Sequence, residues 1–140
     1  MRTIVVGVDG SESSVHALDY AASLVEELLD AMLIVVFARY VPALWAPHGV
    51  AENEFSDLLD EAEQHVRAVA HEHLDPRKIR WTFECRDGEP AQALAELAHE
   101  TDADFVVIGR RGWSTVSELL LGSVSNRLVH RTDVRLLLVR

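Results

Sequence analysis

Glycines and hydroxyl residues at fixed spacing near the end of the chain carry its strongest chemical signal. Gly109 and Gly112 bracket Arg110 and Arg111, nine residues follow, and Gly122-Ser123-Val124-Ser125 comes next. Glycine lets backbone amides approach a ligand with no Cβ in the way. The first pair follows an apolar run, Phe105-Val106-Val107-Ile108, that reads as a buried strand, and the second group opens a segment of helical character, Val124 to His130. A helix start offers unpaired N–H groups and a positive dipole end, and both suit a phosphate. Gly109 and Gly112 are therefore expected to face phosphates with their amides. Ser123 and Ser125 would add hydroxyl donors beside the amides of Gly122, Ser123, Val124 and Ser125. The competing reading is a tight strand-to-helix turn with ordinary capping by Ser123 or Ser125.

A second motif, Gly7-Val8-Asp9-Gly10-Ser11, follows the first apolar run. It lacks the Gly-x-Gly-x-x-Gly of a dinucleotide fingerprint, and no Gly-x-x-x-x-Gly-Lys-[Ser/Thr] loop occurs anywhere in the chain. An aspartate in that turn repels a pyrophosphate, so this loop is expected to meet the uncharged end of a nucleotide. Asp9 would accept hydrogen bonds from ribose hydroxyls or the base, or help place a metal; otherwise it caps the first helix or shapes the turn. Arg110, Arg111 and Arg127 are candidate charge partners for a triphosphate, set against solvated surface roles. Between the glycine pairs, Glu118 is the one residue able to act on a water, and a solvated role is the simpler reading. Histidines are scattered, with His65, His71 and His73 on one helix and no His-Glu-x-x-His, so no zinc site is expected. Cys85 is the single cysteine. It reads as a half-buried strand residue in a reducing cytoplasm.

These motifs need a frame that brings them together. The chain has 140 residues, 49% hydrophobic and 26% charged, which fits one globular domain spanning 1–140. No window approaches a membrane span, and the N-terminus lacks a signal peptide's apolar stretch and cleavage site. A net charge of −10 argues against broad nucleic-acid binding. It also means that local groups must hold any anionic ligand against the average field.

Apolar runs alternate with amphipathic stretches throughout, the pattern of an α/β domain with a mainly parallel sheet. Strands are expected at 3–8, 32–38, 79–85, 104–108 and 134–139. Helices are expected over 13–30, with Ser11 or Ser13 as N-cap, from Glu52 to about Leu74, from Pro90 through His99, and over 124–130. The first helix places Ala17, Leu18, Ala21, Leu24, Val25 and Leu28 on one face. Residues 40–50, with Pro42, Pro47 and Gly49, form a loop. Strict alternation implies right-handed crossovers and a doubly wound sheet, whose ligands bind beyond the C-terminal strand ends. Asp9, Ala38 and Gly109 all fall at such ends. The apolar last strand, Leu136-Leu137-Leu138-Val139, is expected at a sheet edge covered by a second subunit, with an internal strand of a monomer as the alternative.

The whole chain resembles the universal stress protein family. The resemblance rests on Val6-Gly7-Val8-Asp9-Gly10-Ser11, on Gly88-Glu89-Pro90, and on the Gly-x-x-Gly, nine-residue gap, Gly-Ser signature from Gly109 to Ser123 followed by Val124-Ser125. It implies the ATP-binding branch, a Rossmann-like open sheet in the order 3-2-1-4-5, and a homodimer through the last strand. It also implies that Val8 and Asp9 meet base and ribose, and that Ala38 contacts adenine through its backbone. Gly109 and Gly112 would border ribose and phosphates, and Gly122, Ser123, Val124 and Ser125 would grip the phosphates. Two departures stand out. Phe37-Ala38 replaces the frequent His-Val, which loosens the adenine pocket, and bulky Trp113 opens the nine-residue segment. The resulting expectation is a cytoplasmic, dimeric regulatory module that binds ATP, with magnesium as its companion, in a stress response. Little turnover is expected, since no general base, arginine finger or metal-ligand cluster is evident. A slow ATPase or phosphotransferase is the enzymatic alternative, and a nucleotide-free interaction protein of the same fold is the third.

Overall fold

The computed structural model describes residues 1–41, 52–110, 123–131 and 133–140. Their elements run β1 (Arg2–Gly7), α1 (Glu12–Glu27), β2 (Ala31–Arg39), α2 (Glu52–Leu74), β3 (Arg80–Asp87), α3 (Pro90–Glu100), β4 (Phe105–Gly109), α4 (Ser123–Val129) and β5 (Leu136–Val139). The five strands form one sheet in the order β3-β2-β1-β4-β5, and every neighbouring pair is parallel. This is the doubly wound α/β architecture expected from the alternation of elements.

The period-two geometry of strands divides the core into two layers. Ile4, Val6, Leu33, Val35 and Phe37 point to one face, where they pack with Ala17, Leu18, Ala21 and Val25 of α1 and Val66, Ala70 and Leu74 of α2. Val5, Ile34, Val36, Val106 and Ile108 point to the other, against Leu94 and Leu97 of α3 and Val124 and Leu128 of α4. β1 and β2 are covered on both sides, which explains why their sequences are continuous apolar runs rather than alternating ones. Among the described residues β5 pairs only with β4, so it stands at the edge of this sheet.

Local chemistry sets most element ends. Ser11 is the N-cap of α1, and its hydroxyl accepts from the Ser14 amide; this resolves the Ser11-or-Ser13 alternative. Glu89 caps α3, accepting from the amides of Ala91 and Gln92, with Pro90 in the first turn. The first helix is shorter than its periodicity implies. Leu28 turns to extended backbone and Asp30 adopts φ 56°, so that the chain can enter β2 at Ala31. Leu28, expected on the buried face, is consequently exposed. Of the expected 40–50 loop, residues 42–50 lie outside the described residues.

Candidate functional site

In the order β3-β2-β1-β4-β5, the winding reverses between β1 and β4. Such a switch point leaves a crevice beyond the C-terminal strand ends, because the connections from the two central strands diverge to opposite sides. Here that position is bordered by the Val8–Ser11 turn after β1 and by Gly109-Arg110 after β4. β2 ends alongside, with Ala38 paired in register with Arg86 of β3. The three strand ends singled out in the sequence therefore share one rim.

The β1 turn is held from within. The Val8 amide donates to the Val36 carbonyl at 2.9 Å, and the Val8 side chain is fully buried. The Asp9 carboxylate accepts the Ser11 amide at 2.9 Å, while the Asp9 amide donates to Ser14 Oγ at 3.3 Å. Asp9 thus shapes the turn as an acceptor two residues ahead of a backbone N–H. Its carboxylate also occupies the start of α1, which disfavours a phosphate there. Gly10 has φ +90°, and a Cβ at that position would come within 3.3 Å of the His65 ring of α2.

Gly109 has a packing reason to be glycine. A Cβ there would lie 2.6 Å from the backbone carbonyl carbon and oxygen of Ser13, and would also strike its hydroxyl. The first turn of α1 rests directly on the end of β4. Ser125 is buried, and its hydroxyl lies 2.9 Å from the Gly109 carbonyl and 3.1 Å from that of Arg110. A hydroxyl has one hydrogen, so Ser125 Oγ–H ties α4 to the end of β4. Val124 is buried in the core layer on the α3 and α4 side of the sheet. Arg127, a candidate phosphate partner, sits 3.4 Å from the Glu89 carboxylate that caps α3. Arg110 is partly exposed at the rim. Gly112 and Gly122 lie outside the described residues, as do Arg111, Trp113 and Glu118; Ser123 opens α4.

A charged cluster at the neighbouring strand ends was not singled out in the sequence. Arg39, the last residue of β2, reaches Asp60 at 2.9 Å and Glu63 at 3.4 Å on α2, and Asp87 at 3.7 Å at the end of β3. Burial is the largest single influence and works against the Arg39 charge, but Asp60, Cys85 and Glu63 together outweigh it and its pKa rises. Glu63 also faces Cys85. Burial, then the Glu63 hydrogen bond and charge, push the Cys85 thiol up to about 12. The same hydrogen bond, together with Arg39, holds Glu63 below the usual carboxylate range. Cys85 is therefore half-buried and poorly ionised, in keeping with an unreactive strand residue. No group of three or more His, Cys, Asp or Glu side chains suited to a metal occurs among the described residues. No described helix is long and apolar enough to cross a membrane.

Frame and rim together define a doubly wound parallel α/β protein whose switch point lies between β1 and β4. The model of the universal stress protein family matches residues 1–140. Universal stress protein Rv1636 of Mycobacterium tuberculosis is 32% identical over 149 residues, covering 99% of this chain and 95% of that protein. Universal stress protein MJ0531 of Methanocaldococcus jannaschii is 27% identical, over 99% of this chain and 82% of its own length. Among solved structures, a universal stress protein in complex with cAMP superposes with a TM-score of 0.74 at 28% identity, covering 99% of this chain and 97% of that one. Hypothetical protein MJ0577 has the same fold, with a TM-score of 0.83 at 20% identity over 99% and 94% of the two chains. The chain belongs to the universal stress protein family.

Proposed function

We propose that this protein is an ATP-binding member of its family, a homodimeric cytoplasmic module of one domain whose nucleotide occupancy serves a stress response. The observation that carries the reading is the meeting of the Asp9 turn and the Gly109-Arg110 end of β4 at the switch point of the sheet. The charges along the rim support an orientation. Asp60, Glu63 and Asp87 gather around Arg39 at the ends of β2 and β3, with Arg67 also on Glu63, and Asp9 stands in the turn after β1. That region is net negative and favours the uncharged base and ribose, whereas Arg110 and the glycine-serine motif favour the phosphates. Adenine would meet Val8 and the backbone of Ala38, and ribose would meet Asp9. The phosphates, with magnesium as companion, would meet Gly109, Gly112, Gly122, Ser123, Val124 and Ser125. The hydroxyl of Ser125 already serves Gly109 and Arg110, so its part in anion binding falls to its backbone amide.

The similarity to a universal stress protein in complex with cAMP supports an adenine nucleotide and places cyclic AMP among the ligands to test. Homodimerisation through β5 is supported by its apolar sequence and its position at the end of the strand order. Binding without efficient turnover is part of this reading, with a slow ATPase or phosphotransferase as the enzymatic alternative. A thermal-shift and calorimetric titration with ATP, ADP, AMP and cyclic AMP, each with and without magnesium, tests the proposal. Stabilisation that grows with nucleotide concentration is expected, because only the native crevice binds. No shift with any nucleotide refutes it, and many turnovers of ATP would establish the enzymatic alternative instead.

A further inference from the structure

Three carboxylates surround the Arg39 guanidinium, and one of them, Glu63, is shared with Arg67 at 3.6 Å. Arg39 is only 19% exposed, and its partners come from two other elements: Asp60 and Glu63 from α2, and Asp87 from β3. Its backbone carbonyl also accepts the Gly88 amide at 2.9 Å. The same stretch of α2 reaches the β1 turn, since His65 and Val66 are the atoms nearest a Cβ built on Gly10, at 3.3 and 3.7 Å. One turn and a half of α2 thereby spans all three strand ends of the net-negative half of the rim. Arg39 immediately follows Ala38 in β2, so the contacts that anchor its side chain and its carbonyl bear on the same strand end.

We propose that Arg39 is a positioning residue for base recognition: by clamping Asp60 and Glu63 of α2 and Asp87 of β3, it fixes the backbone of Ala38 and the seat of α2 on the Gly10 turn, and so sets selectivity for adenine over other bases. The inference rests on the nucleotide reading given above. The fork geometry of the guanidinium matters, because Nη1 meets Asp60 and Glu63 of α2 while Nε faces Asp87 of β3, a spread that one ammonium nitrogen does not reproduce. Arg39 makes no contact with the ligand in this scheme. It acts through the backbone of Ala38, the residue before it in β2.

The test measures ATP and GTP affinity of the full chain by calorimetry for wild type, Arg39→Met, Arg39→Lys and Glu63→Gln, with far-UV circular dichroism confirming a folded protein at the assay temperature. Wild type is expected to prefer ATP. Arg39→Met is expected to weaken ATP by about tenfold, the scale of one lost charge-assisted interaction, while GTP changes less, so that the preference falls toward one. Arg39→Lys and Glu63→Gln, milder changes that keep the chain folded if Arg39→Met does not, should each lower the ATP preference part of the way. Equal losses for both nucleotides would assign Arg39 to fold maintenance and overturn the proposal, as would unchanged ATP affinity in the variants or equal affinities in wild type. Wild-type protein that binds neither nucleotide refutes the nucleotide reading itself, a result recognisable before any variant is made.

Discussion

Replacing Gly109 by alanine separates two roles that coincide at this position. The added Cβ would sit 2.6 Å from the Ser13 carbonyl carbon and oxygen, where ordinary contact begins at 3.4 Å. Relief requires the first turn of α1 or the end of β4 to move by about 0.8 Å, and both are backbone anchored in the core. Overpacking of a tight site costs about 1–3 kcal/mol, and a backbone obstacle places Gly109→Ala near about 3 kcal/mol. For a chain of this length that corresponds to a fall in Tm of about 10 °C. Gly7→Ala provides the contrast. Its nearest obstacle, Leu94 Cδ1 at 2.9 Å, is the tip of a flexible side chain, so a rotamer adjustment of about 1 kcal/mol suffices. Thermal and urea unfolding without nucleotide measure both. If Gly109→Ala melts within about 3 °C of wild type, or if Gly7→Ala is the more damaging, the close approach of α1 to β4 is wrong. Because this loss arises without ligand, reduced nucleotide binding in Gly109→Ala must be compared at temperatures where the variant is fully native.

Ser125→Ala removes the buried donor to the Gly109 and Arg110 carbonyls; it is expected to cost about 1–2 kcal/mol in urea unfolding, and an unchanged midpoint would contradict the tie between α4 and β4. The Cys85 thiol, pushed up to about 12, is expected to react with iodoacetamide far more slowly at pH 8 in native than in urea-unfolded protein, whereas equal rates would show that burial and Glu63 do not suppress its ionisation. Asp104 is held below the usual carboxylate range by the Thr3 amide and then by Arg2. Its contribution to stability is therefore complete above the ordinary carboxylate pKa and lost as pH falls through the lowered folded value. Asp104→Asn should be less stable than wild type at pH 7 by about 1–2 kcal/mol, with the two proteins converging in acid; a gap independent of pH would refute the assignment. For the proposed dimer, Leu138→Arg at the exposed edge of β5 is expected to yield a folded monomer by light scattering, and a retained dimer would place the interface elsewhere.

Much of the architecture was legible from local pattern. The run from Glu52 to Leu74 is amphipathic and ends before Asp75-Pro76, and the observed helix has those bounds. Pro90 marked a helix start because it needs no amide partner in a first turn. Alternating elements led to a doubly wound parallel sheet, since parallel neighbours require crossovers. The order 3-2-1-4-5 came only with the family resemblance, because periodicity says which residues are buried and not which strands are neighbours.

The rim divides along the same line. Sequence alone determined that Asp9, Ala38 and Gly109 fall at strand C-terminal ends, because strand length and direction follow from apolar runs and crossovers. Tertiary structure decided what occupies the space around them. Gly109 is glycine where Ser13 of another element presses on it, and the Ser125 hydroxyl serves a carbonyl sixteen residues away. Arg127 lies beside the cap of α3, and Arg39 joins two strands and a helix. A glycine or an arginine reads the same in sequence whether its neighbour is a ligand or another part of the chain. Only packing in three dimensions supplies the partner.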